Sequence, residues 1–86
     1  MANYKIFIKL SAAKELKRLP KTDARRITSK IQALSKEPRP QGCEKLSAQE
    51  RYRIRQGNYR IVYSIEDNKL IVYIVKIAHR KSVYKS

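Results

Sequence analysis

The segment Arg51-Tyr52-Arg53-Ile54-Arg55-Gln56-Gly57-Asn58-Tyr59-Arg60-Ile61-Val62-Tyr63 constrains the fold more than any other part of the chain. Arg51 to Arg55 alternates arginine with Tyr or Ile at a period of two, the period of a strand and not of a helix. Gly57-Asn58 is a two-residue hairpin turn, with glycine where a type II′ turn needs positive φ. That loop pairs Gln56 with Tyr59, hence Arg55 with Arg60, Ile54 with Ile61, Arg53 with Val62 and Tyr52 with Tyr63. Tyr52, Ile54, Ile61 and Tyr63 then share one face, which needs a second layer to cover it. Arg51, Arg53, Arg55 and Arg60 share the other.

The first half supplies that layer. Met1 to Ile8 favours a strand, with Tyr4, Ile6 and Ile8 on one face and Lys5 and Phe7 on the other. Ser11 reads as the N-cap of a short helix through Arg18, closed by Leu19-Pro20, because proline disfavours helical geometry in the residue before it. A second helix is expected over Thr22 to Lys36. Its apolar residues Ala24, Ile27, Ile31 and Leu34 line one face, while Lys21, Arg25, Arg26 and Lys30 lie elsewhere. Glu37 to Glu44, with Pro38 and Pro40, reads as a loop. After the hairpin, Asp67-Asn68 suggests a turn. Leu70 to Ile77 is a nearly continuous apolar run that suits a central strand buried on both faces. His79 to Ser86 is a basic tail. The expected order is β-α-α-β-β-β, an α+β domain over residues 1–86 with an antiparallel sheet core and a helical hairpin packed on one face.

Charge narrows the function. Among 86 residues, 21 are Lys or Arg and 7 are Asp or Glu, a formal net charge of +14. Self-repulsion on that scale opposes compaction, so its retention points to a polyanionic partner, nucleic acid before a membrane surface. A lone cysteine, Cys43, excludes an internal disulfide and is too little for a structural zinc site. No apolar run reaches the roughly 18 residues of a membrane span, and no signal-peptide pattern opens the chain, so a soluble cytoplasmic domain is expected.

Four arginines on one small face need a reason, because like charges opposite each other on a sheet are destabilising. No Asp or Glu lies between Arg51 and Ile65 to offset them. Charged strands do protect sheet edges from aggregation, but a strand kept soluble that way can mix signs. The stronger explanation is a bound phosphate, which the planar arginine fork grips with two parallel hydrogen bonds. A meander brings the end of the last strand near the hairpin turn, so Arg80 can approach Arg55 and Arg60. Tyr84 is a stacking surface for a nucleobase or a packing residue. His79 is the one histidine, a side-chain type suited to acid–base work at neutral pH though more often structural. No pair of carboxylates and histidines has metal-ligand spacing, and no glycine-rich phosphate loop is present. Glu44 and Glu50 read as loop acids that nothing in the sequence places near the arginines.

Lys45-Leu46, Tyr52-Arg53-Ile54-Arg55, Gly57-Asn58-Tyr59-Arg60-Ile61-Val62-Tyr63 and His79-Arg80-Lys81-Ser82-Val83-Tyr84, in this order of elements, resemble the RelE branch of the RelE/ParE toxin superfamily. The likeness spans essentially the whole chain, and its basic, tyrosine-bearing ending is closer to the RNA-cleaving branch than to the gyrase-inhibiting ParE branch. It implies the toxin of a type II toxin–antitoxin pair, with a RelB-like antitoxin as partner. It also implies an endoribonuclease that cuts mRNA in the ribosomal A site. In that family the substrate's own 2′-hydroxyl attacks the adjacent phosphate without metal or cofactor, leaving a 2′,3′-cyclic phosphate. By position, Arg60 matches the arginine that holds the scissile phosphate, Arg80 the one assigned to the leaving group, and Tyr84 the base-stacking tyrosine. Arg53 and Arg55 stand where typical RelE proteins have lysines, one of them assigned as general base, and an arginine is hard to deprotonate. His79 is a candidate acid or base. Lys45, Arg51, Lys81 and the helical Lys14, Lys17, Lys21, Arg25 and Arg26 are expected to meet RNA phosphates. Two other readings stand beside this one: a ParE-like inhibitor of DNA gyrase, and a basic RNA- or ribosome-binding module that cleaves nothing.

Overall fold

A computed structural model describes residues 3–46 and 50–79. Its elements are β1 (Lys5–Ile8), α1 (Leu10–Arg18), α2 (Lys21–Ala33), β2 (Glu44–Leu46), β3 (Arg51–Gln56), β4 (Tyr59–Glu66) and β5 (Ile71–His79). The strands form one sheet in the order β1-β5-β4-β3-β2, with the two helices as a second layer, an α+β architecture.

The β3–β4 hairpin has the register that its turn dictates, from Gln56 opposite Tyr59 to Arg51 opposite Ser64. Gly57 takes φ of 60°, a conformation that costs a residue with a Cβ but not glycine. Tyr52, Ile54, Ile61 and Tyr63 are buried against Ala12 of α1 and Ile27, Ile31 and Leu34 of α2 and its C-terminal turn. Tyr63 is fully enclosed, and its hydroxyl donates a 2.8 Å hydrogen bond to the Pro38 carbonyl. Burial first, and then its contact with Cys43, push that phenol far above its ordinary pKa.

The helices begin and end somewhat differently from expectation. Ser11 lies inside α1, and Lys9 occupies the cap position with no side-chain hydrogen bond. Leu19 before Pro20 is extended (φ −80°, ψ 152°), as proline requires, and Pro20 opens α2. The α-helix α2 stops at Ala33; Leu34 to Lys36 continue only as turns held by bonds such as Leu34 N–H to Ile31 O at 3.0 Å.

Three features of the sheet correct the sequence reading. The stretch expected to be loop as far as Glu44 yields β2, which pairs antiparallel with β3, Glu44 opposite Arg53 and Leu46 opposite Arg51. The sheet is mixed, because β1 runs parallel to β5 while the remaining pairings are antiparallel. The apolar run of β5 is covered on one face only. Val72, Ile74 and Ile77 face the helices and are buried, whereas Tyr73 points to the open face and is 42% exposed. A register shift between Val62 and Tyr63 opposite Val75 resets the alternation, which is why Ile74 and Ile77 reach the same face although they are three residues apart.

A polar cluster closes the end of the sheet remote from the Gly57 turn. Arg39 donates to both oxygens of Asp67 at 3.2 and 2.9 Å and to the Tyr52 hydroxyl at 3.2 Å. Tyr4 donates to the same carboxylate at 2.8 Å. Hydrogen bonds from Arg39 and then Tyr4 hold the Asp67 carboxyl below its ordinary pKa. The adjoining turn places Leu70 at φ 55°, a left-handed conformation uncommon for leucine. Its carbonyl accepts from Lys5 N–H at 2.8 Å and so starts the β1–β5 pairing.

Candidate functional site

Because paired residues in a sheet share a face, the register settles what stands on the side away from the helices. Arg55 lies opposite Arg60, Arg53 opposite Val62 and Arg51 opposite Ser64. All four arginines therefore occupy the open face, with Arg53, Arg55 and Arg60 at the hairpin end and Arg51 farther along. Among the described residues no ion pair offsets Arg55 or Arg60. Two guanidinium-bearing residues directly opposite one another raise the free energy of the folded state. An anion held between them would lower it.

Arg53 is different. Glu44, brought beside it by β2, accepts from its Nη2 at 3.3 Å. Glu44 is well exposed and Arg53 only partly buried, so the pair adds little to stability, about 0–1 kcal/mol. Its importance lies in placement, because a carboxylate stands on the arginine face where the sequence offered none. Arg53 Nε is buried with no hydrogen-bond partner among the described residues, an arrangement that costs stability.

His79 sits elsewhere. It pairs with Tyr59, which shares the helix-side face with Ile61 at alternate positions, and the two rings meet edge to face with centroids 5.2 Å apart. The Tyr59 hydroxyl donates to Asp23 of α2 at 3.0 Å, and burial, followed by this bond, raises its pKa. Strand alternation thus separates His79 from the arginines: Ala78, its neighbour, lies opposite Arg60, so His79 turns to the helix side. The end of β5 does lie beside the Gly57 turn, as the meander requires. Arg80, Lys81 and Tyr84 are outside the described residues.

The remaining cations divide between two sides. Lys14, Lys17, Lys21, Arg25 and Arg26 are exposed on the helical layer, opposite the arginine face. Arg26 reaches the hairpin end, where it lines a small hollow with Asp23, Gln56, Gly57, Tyr59 and His79. Lys45 pairs with Tyr52, so it belongs to the helix side of β2, and its ammonium meets Glu50 at 3.8 Å. No three His, Cys, Asp or Glu side chains among the described residues are grouped closely enough to hold a metal ion. No helix among them is long and apolar enough to cross a membrane.

Comparison with known proteins assigns this architecture. The family model of the ParE toxin of the type II toxin–antitoxin system, parDE, matches residues 6–84. The chain belongs to the RelE/ParE toxin superfamily. Among solved structures, the archaeal RelE–RelB complex from Pyrococcus horikoshii OT3 is similar at 31% identity and a TM-score of 0.83, over 91% of this chain and 96% of that one. The toxin–antitoxin complex RelBE2 from Mycobacterium tuberculosis matches at 26% identity and a TM-score of 0.83, over 93% and 94%. The isolated E. coli RelE toxin matches at 27% identity and a TM-score of 0.78, over 94% and 90%. No curated protein matches the sequence.

Within this RelE/ParE fold, sequence reasoning found the arginine face and missed Glu44. The signal available was weak: Glu44 lies two residues before Leu46 in a segment too short to show a period. It becomes visible only when Leu46 is set opposite Arg51, which carries Glu44 to Arg53.

Proposed function

We propose that this RelE/ParE-family chain is a ribosome-dependent endoribonuclease that cuts mRNA in the A site, the toxin of a type II pair neutralised by a RelB-like antitoxin. The observation that carries the reading is the pairing of Arg55 with Arg60 on an open sheet face, next to Arg53, with no offsetting ion pair for either among the described residues. The antitoxin is supported by relatives solved as RelE–RelB complexes. Binding to the ribosome suits the basic helical surface on the opposite side, whose phosphate contacts would weaken steeply with salt.

In this reading Arg55 and Arg60 hold the non-bridging oxygens of one phosphate. The 2′-oxygen of the preceding ribose forms a bond to phosphorus, the bond from phosphorus to the 5′-oxygen breaks, and a 2′,3′-cyclic phosphate and a free 5′-hydroxyl result. Charge accumulates on the phosphoryl oxygens as the transition state forms, and fixed guanidinium donors aimed there are worth about 3–4 kcal/mol when a single such donor is removed. No metal ion is required in this scheme. The proton of the 2′-hydroxyl needs an acceptor, and arginine is unsuited to that. Glu44 is the acceptor in this scheme, because it stands on the arginine face within 3.3 Å of Arg53. Arg80 and Tyr84 keep the roles that the resemblance implies, charge stabilisation or proton delivery at the leaving oxygen and stacking on the substrate base. His79, turned to the helix side, takes no part.

A ribosome programmed with an mRNA carrying a 2′-deoxynucleotide before the scissile bond tests the chemistry. Cleavage of the all-ribose message and none of the substituted one is the expected result, and equal cleavage of both would exclude 2′-hydroxyl attack. The ParE description of the matching family model favours a second reading, inhibition of DNA gyrase. Intact message together with arrested supercoiling by purified gyrase would establish that reading instead.

A further inference from the structure

The open face does not end with the arginines. Along β4 from Arg60 to Ser64 the strand advances roughly 13 Å at 3.3–3.4 Å per residue. There the character of the face changes. Ser64 lies opposite Tyr73, and Tyr73 lies opposite Phe7 of β1. Phe7 is 49% exposed and Tyr73 42%, the two aromatic side chains among the large apolar residues that the described chain leaves in solvent. They are adjacent on neighbouring strands of one face, next to a serine that takes little room above the sheet.

Their surroundings are charged. Lys5 lies opposite Ile71 on one side of the pair and Lys76 opposite Val62 on the other. With Arg51, Arg53, Arg55 and Arg60 the face carries six cations, against two carboxylates, Glu44 and Glu66, by the same register. Glu44 is engaged by Arg53, and Glu66 lies 3.8 Å from Lys69. A docking surface for a protein helix would favour an apolar groove. A row of cations interrupted by two exposed rings fits a polyanion whose repeating unit also has a flat apolar face.

We propose that Phe7 and Tyr73 form a nucleobase-stacking platform that binds single-stranded RNA about two nucleotides or more away from the phosphate held by Arg55 and Arg60. Lys5 and Lys76 contact the backbone on either side. This rests on the reading that the chain acts on RNA, and it gives that RNA a path across the sheet, from the hairpin end towards β1. Stacking on an aromatic ring tolerates any base, so the platform adds affinity without choosing sequence.

Binding to 2′-O-methylated oligonucleotides, which this chemistry cannot cut, tests the platform independently of cleavage. The probes are an end-labelled trinucleotide and a nonanucleotide of uridines, followed by fluorescence anisotropy with the full chain at fixed low salt. Phe7→Leu with Tyr73→Leu, which removes the rings and keeps apolar bulk, is expected to weaken nonanucleotide binding about tenfold or more, because one stacked base is worth about that much. Trinucleotide binding should fall less than nonanucleotide binding, since so short a strand can be held by Arg55 and Arg60 without the rings. Phe7→Tyr with Tyr73→Phe should bind both probes like the parent. Circular dichroism melting checks that each variant is folded. Nonanucleotide affinity unchanged by the leucine pair would overturn the proposal and leave the rings to a protein partner. Ring-dependent binding without ribosomal mRNA cleavage would keep the platform and remove the nuclease reading. Cleavage with ring-independent binding would do the reverse.

Discussion

The two faces of one sheet are built from the same strands and obey different rules. On the helix side, Tyr52, Ile54, Ile61, Tyr63, Val72, Ile74 and Ile77 are enclosed, and each stabilises the fold by removing apolar surface from water. On the open side, Arg55 faces Arg60, and two aromatic rings stand in solvent. The first face is explained by folding alone. The second carries a like-charge pair that lowers stability, and the RNA contacts proposed above would account for it. Alternation along β3 and β4 lets adjacent residues serve these opposed purposes, so substitutions one position apart should separate stability from activity.

The largest effect belongs to the covered face. Ile61→Ala is expected to lose about 2–5 kcal/mol of unfolding free energy, since its side chain is fully buried and the helices above it can close the cavity only in part. Urea denaturation measures it. Glu44→Gln, on the open face, should leave the urea midpoint nearly unchanged and slow cleavage by about a hundredfold or more, the loss typical of a general base. Full cleavage by the Glu44→Gln variant would remove Glu44 from the chemistry and leave electrostatic stabilisation to the arginines.

Smaller effects probe the ends of the sheet. Tyr59→Phe removes the hydroxyl bonded to Asp23 and should cost about 1 kcal/mol in thermal or urea unfolding. His79→Ala should alter stability through the same contact with Tyr59 while cleavage proceeds at the parental rate. The smallest is the Arg39–Asp67 contact. The Asp67 pKa is lowered by folding, so its contribution is present above the unfolded carboxyl value of about 4 and fades as pH falls through the lower folded value. Asp67→Asn should therefore lie below the parent in melting temperature at neutral pH, with the gap narrowing as the pH drops below about 4.

Local rules made much of this molecule legible from sequence. Gly57-Asn58 and the alternation around it were enough to give the hairpin register and the arginine face, because a two-residue turn leaves one pairing. Ile27, Ile31 and Leu34 were recognisable by helical spacing. The features that escaped depend on contacts distant in the chain or on too few residues. β2 is three residues long and shows no period. Parallel pairing of β1 with β5 joins residues near positions 5 and 71, which no local pattern records. The apolar run from Leu70 suggested two covered faces, yet the helical layer covers one, and the irregularity at Val75 is invisible within continuous apolar residues. Glu44 and the Phe7–Tyr73 pair both followed from these missed pairings. Thus the covered face and half of the open face were readable, and the rest of the open face needed the sheet.

The central claim is that the paired arginines on the open face perform the cleavage. Primer extension on translated mRNA, from cells expressing the parent chain or Arg55→Ala with Arg60→Ala, tests it directly when combined with a melting curve of each purified protein. Codon-phased cuts are expected for the parent and their loss in the double variant, whose melting temperature is equal or higher because a like-charge pair has gone. Codon-phased cuts persisting in a folded double variant would contradict it.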